Sequence, residues 1–68
     1  MKFIDRNDGT MYRVREMGGA YKVARMRPED ARYSFVSSRY LPWRTEKTEA
    51  EADLLNFAIE QNLKRLED

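Results

Sequence analysis

Between Thr10 and Met26 apolar and polar residues alternate with a period of two. Tyr12 and Val14 fall on one side of a pleat, Arg13 and Arg15 on the other. Tyr21 and Val23 oppose Lys22 and Ala24 in the same way. Successive side chains of a strand point to opposite faces, so the pattern predicts strands over 10–17 and 20–26. Gly18-Gly19 lies between them, and a glycine pair supplies the positive φ angles of a two-residue hairpin. A short apolar start predicts a further strand over 2–5, with Asp8-Gly9 as the hairpin signal after it. Arg27-Pro28-Glu29-Asp30 fits a helix start and a turn equally. Tyr33, Phe35 and Val36 are β-formers, which favours a turn followed by a third main strand over 32–38. Pro42 cannot donate to a sheet ladder and ends that strand.

From Thr45 onward the period changes. One amphipathic helix is predicted over about 46–66. Thr45 and Thr48 compete for its N-cap, and Thr48 with Glu51 fits a capping box. Glu46, Glu49, Glu51 and Asp53 gather where carboxylates favour the helix dipole, and Lys64 and Arg65 where cations do. Glu60 and Lys64 have the spacing of an ion pair. At about 100° per residue, Glu49, Asp53, Asn56, Glu60, Lys64 and Glu67 share a solvent face. Ala50, Leu54, Phe57 and Ala58 form one apolar stripe, and Leu55, Ile59, Leu63 and Leu66 form a second. A small sheet covers one stripe. The second needs residues 1–4, the Tyr40–Trp43 segment, a second copy or a partner. The expected fold class is therefore α+β: a three-stranded antiparallel sheet, with a short N-terminal extra strand, packed against one C-terminal helix in a single domain.

Composition narrows the chemistry. The chain has 68 residues, no cysteine and no histidine. Disulfides, thiolate metal sites and the commonest general base are excluded together. No run approaches a membrane span, and the first residues do not form a signal peptide, so a cytoplasmic protein is expected. A domain this small buries only about 60% of its unfolded surface, and such domains often gain stability from a partner or a second copy. The net charge of +1 hides a split. Residues 1–44 sum to +5 and residues 45–68 to −4. A basic sheet and an acidic helix follow if the two parts pack together, and such a face attracts a charged partner.

No catalytic constellation stands out. Ser34, Ser37 and Ser38 have no histidine to activate them. Glu49/Asp53 and Glu29/Asp30 fall on exposed stretches, which do not separate the pKa values of two acids. Gly18-Gly19 lacks the spacing and the lysine of a phosphate loop. No enzyme activity, cofactor, metal or small-molecule substrate is expected. Trp43 follows Pro42 between a strand end and the helix. It is expected either to close the core beneath the helix or to serve with Tyr40 and Arg44 as a partly exposed anchor.

Two resemblances bear on function. Tyr12-Arg13-Val14, Leu41-Pro42-Trp43-Arg44 and the segment Glu49-Ala50-Glu51-Ala52-Asp53-Leu54 together resemble short phage- and prophage-encoded proteins of Firmicutes. This implies an accessory protein of a mobile element and no defined activity. Three antiparallel strands followed by a helix is a layout similar to the AP2-like arm domains of phage-type integrases. Those lay an arginine- and aromatic-rich sheet face into the DNA major groove. Two functions are therefore expected. The first is non-catalytic protein–protein contact, including modulation of a host system, through Leu55, Ile59, Leu63 and Leu66. The alternative is DNA binding through a basic sheet face of Arg13, Arg15, Lys22 and Arg25.

Overall fold

The structure is a computed structural model and describes residues 1–66. One antiparallel sheet carries one helix. The strands are β1 (Lys2–Ile4), β2 (Met11–Met17), β3 (Ala20–Met26), β4 (Ser34–Phe35) and β5 (Lys64–Leu66), and the helix α1 spans Lys47–Gln61. The sheet order is β4-β3-β2-β1-β5, so it has five strands where sequence periodicity predicts three main ones. Among the described residues, no helix is long and apolar enough to cross a membrane.

The hairpin β2–β3 forms as expected. Met17 pairs with Ala20 across Gly18-Gly19, whose φ angles are 61° and 82°. Both lie in the left-handed region that glycine adopts without steric cost. The β1–β2 turn is held by two aspartates. The Asp5 carboxylate accepts the Asn7 N–H at 2.9 Å, and the Asp8 carboxylate accepts the Thr10 N–H at 2.9 Å. The bonds from Thr10 hold the Asp8 pKa below its ordinary value. Residues 27–30 form a turn, in which Asp30 accepts the Arg27 N–H at 3.0 Å. Only Ser34 and Phe35 of the predicted strand 32–38 enter the ladder, opposite Arg25 and Ala24.

Strand register assigns each side chain to a face. Phe3, Tyr12, Val14, Tyr21 and Val23 share the helix face, since directly paired residues point the same way. The core joins Phe3, Val23, Val36 and Leu41 to Leu54 and Ala58 of α1. Leu54 and Val23 are fully buried, which stabilises the fold by roughly 1.5–3 kcal/mol each. The Phe57 ring meets Tyr12 edge-on with centroids 5.1 Å apart. Ala50, Leu54 and Ala58 are buried, so the first apolar stripe is the one that faces the sheet.

Both ends of the helix differ from the expected ones. Glu46 is the N-cap and makes no side-chain capping bond, so neither Thr45 nor Thr48 caps the helix. The helix stops at Gln61, well short of residue 66. Asn62 takes a left-handed conformation (φ 55°), the backbone reverses, and Leu63 N–H donates to the Ala58 carbonyl at 2.8 Å. Asparagine tolerates this conformation better than other non-glycine residues. The chain then runs back as β5 along β1, with Lys64, Arg65 and Leu66 opposite Ile4, Phe3 and Lys2.

Candidate functional site

The strand residues of the sheet face away from the helix carry charge of one sign only. Read from the register, they are Lys2 and Ile4; Met11, Arg13, Arg15 and Met17; Ala20, Lys22, Ala24 and Met26; Phe35; and Lys64 and Leu66. Five are cations and none is an acid. Glu16, the one acid within the described strands, pairs with Tyr21 and belongs to the helix face.

Aromatic side chains organise this surface. Tyr21 and Arg44 exchange two backbone hydrogen bonds of 2.7 Å, which extends the β3 ladder past β4. Arg44 therefore shares the helix face with Tyr21, while its neighbour Trp43 turns to the outer face. There Trp43 meets Phe35 with centroids 4.6 Å apart, and the Lys22 ammonium lies 5.7 Å from the indole centroid. That contact is worth about 0.5–1 kcal/mol. It also places Lys22 in a half-aromatic pocket, only 8% exposed. The Arg13 and Arg15 guanidinium groups lie 5.7 and 5.8 Å from the Tyr33 centroid. Arg13 and Arg15 remain exposed to solvent. The Tyr33 hydroxyl is buried without a hydrogen-bond partner.

The structure brings Arg13, Arg15 and Lys22 together as expected and adds Lys2 and Lys64. Arg25 does not join them: it pairs with Tyr12 and points to the helix face. Lys2 joins through its pairing with Arg13, and Lys64 through the β1–β5 pairing, which the predicted long helix hides. A signal for the reversal was present in Asn62, a residue type enriched at helix C-termini.

The second apolar stripe does not persist as a surface. Leu63 packs against the core. Leu66 lies in β5, on the opposite side of the sheet from α1. Leu55 and Ile59 remain, 38% and 77% exposed. The expected solvent face changes as well. Lys64 has left the helix, so the Glu60–Lys64 helical pair does not exist, and Glu67 lies outside the described residues.

The proposed Trp43–Arg44–Tyr40 anchor divides three ways. Trp43 lies on the outer sheet face and does not close the core beneath the helix. Arg44 forms a forked pair with Asp53 of α1, Nε to Oδ2 at 2.9 Å and Nη2 to Oδ1 at 3.0 Å. The Asp53 contact raises the Arg44 pKa further. This pair ties the helix to the loop before it, and takes Asp53 from the solvent face. Tyr40 is 76% exposed and stacks beside Arg39, whose guanidinium is 5.3 Å from the ring centroid.

Comparison of the chain with protein-family models, with curated proteins and with solved structures finds no match.

Proposed function

We propose that the protein binds nucleic acid through the outer face of its sheet. The observation that carries this reading is the sign of that face: five cations and no acid among its described strand residues. Phosphates respond to such a field whatever the base sequence, and arginine supplies a fork suited to a phosphate or a guanine edge. Trp43, 42% exposed beside these cations, offers a flat apolar surface for a base or sugar. The break-up of the second helix stripe favours this reading over protein contact, because two of its four leucine and isoleucine residues are used elsewhere.

The test is fluorescence anisotropy with a labelled 20-base-pair duplex and a 20-nucleotide single strand, at two salt concentrations. Binding in the range of about 1–100 µM is expected, weakening steeply with salt. The double change Arg13→Ala/Arg15→Ala should weaken it and lower the salt slope by about 2. Both side chains are exposed, so the variant keeps its core. No binding to either probe at low salt, or binding unchanged in the variant, overturns the reading.

A second reading is protein–protein contact of the kind a mobile-element accessory protein would make. It rests on the exposure of Ile59, Leu55 and Tyr40. Light scattering at high concentration tests its self-association form, with Ile59→Glu as the variant that should return any dimer to monomer.

A further inference from the structure

The two strands of the outer hairpin are not equally covered. On one side of β3, residues 34–36 and Arg44 supply backbone partners. On the far side of β2, β1 pairs only with Met11, Tyr12 and Arg13, although β2 continues to Met17. The backbone direction at the open end follows from the ladder. Tyr21 spends both its N–H and its carbonyl on Arg44, so both point away from β2. In an antiparallel pair, directly opposed residues either exchange both bonds or both turn outward. Glu16 is directly opposite Tyr21, so its N–H and carbonyl point out over the open edge.

A groove of about 330 Å³ runs along this edge, lined by Arg13, Val14, Arg15, Glu16, Tyr21 and Lys47. Arg13 and Arg15 stand on one side and Lys47, the first residue of α1, is reached across it. Three cations against one carboxylate favour an acidic occupant. A second copy fits poorly. Antiparallel pairing centred on this residue would set Glu16 against Glu16 and one cationic groove against another, and like charges directly opposed are destabilising.

We propose that the open edge of β2 at Glu16 receives an extended acidic peptide of a partner protein as an added strand. Its backbone bonds to the Glu16 N–H and carbonyl, and its carboxylates meet Arg13, Arg15 and Lys47. Strand addition of this kind takes affinity from the main chain and selectivity from alternate side chains. The proposal shares Arg13 and Arg15 with the outer face but does not rest on nucleic-acid binding, since it turns on the β2 backbone edge and on Lys47, neither part of that face.

The test is a nuclear magnetic resonance titration of the ¹⁵N-labelled protein with an eight-residue peptide repeating valine-glutamate-glutamate, which sets glutamates on both faces of an added strand, blocked at both ends. Amide shifts should concentrate at residues 14–17 and at Lys47, below about 1 mM peptide. Hydrogen exchange of the Glu16 amide should slow at least about tenfold at saturation. The same peptide N-methylated at every residue should not bind, nor should one with lysine in place of glutamate. Lys47→Glu should weaken binding about fivefold or more. No shifts by about 1 mM, unchanged Glu16 exchange at saturation, or equal binding of the methylated peptide would each overturn the proposal.

Discussion

Gly9 and Gly18 show how one residue type is held for two reasons. Both have positive φ, 81° and 61°. At Gly18 an added Cβ would meet nothing within 4 Å, whereas at Gly9 it would lie 3.0 Å from the Pro28 Cγ. Gly18→Ala therefore suffers the backbone cost alone, about 1 kcal/mol. Gly9→Ala adds a close approach that the Pro28 ring must relieve by a few tenths of an ångström, for a total of about 2 kcal/mol. Urea unfolding with an unchanged m-value measures both, and equal losses would refute the argument. The lack of a side chain at Gly9 leaves room for Pro28, a long-range relation that neither Asp8-Gly9 nor Arg27-Pro28 announces locally.

Individual elements were legible where a period repeated and illegible where one residue changed direction. The alternation around Val14 and Val23 gave the hairpin, its register and the separation of Arg13, Arg15 and Lys22 from the core. The stripe of Ala50, Leu54 and Ala58 gave the buried face of α1. Leu63 and Leu66 kept helical spacing from Ile59, yet the left-handed Asn62 sends one to the core and the other across the sheet. Periodicity has no means of registering a reversal that occurs in phase. The face of Trp43 is illegible for a related reason: it is set by the Tyr21–Arg44 bridge, a non-local pairing. Asn62→Gly should keep stability within about 0.5 kcal/mol, because glycine is the preferred residue at such a helix end. Asn62→Val should lose about 1–2 kcal/mol, because a branched side chain resists this conformation. Hydrogen exchange would locate that loss first at residues 63–66, and a uniform loss across the sheet would count against this account.

At the scale of the molecule, charge is sorted by the sheet. One side gathers Lys2, Arg13, Arg15, Lys22 and Lys64, and the helix on the other side carries Glu49, Glu51, Asp53 and Glu60. Cations crowded on one face repel each other, and dissolved salt screens that repulsion over about 10 Å at 0.1 M. The melting temperature should therefore rise by a few degrees between low salt and about 0.5 M sodium chloride. In Arg13→Gln/Arg15→Gln the rise should shrink and the low-salt melting temperature should increase. Calorimetry at several salt concentrations measures this, and an identical salt response in the variant would show that the face is not under electrostatic strain.

The placement of β5 beside β1 has a consequence in time. A ladder between residues 2–4 and residues 64–66 joins segments separated by nearly the whole described chain. During synthesis β1 waits without its outer neighbour while the hairpin, the loop and the helix are made and leave the ribosome. The β2–β3 hairpin is local and closes in microseconds, but closing the longest loop costs more chain entropy and slows folding. Residues 64–66 thus act as a latch: until Asn62 turns them back, the sheet is one strand short and Phe3 is held from one side only.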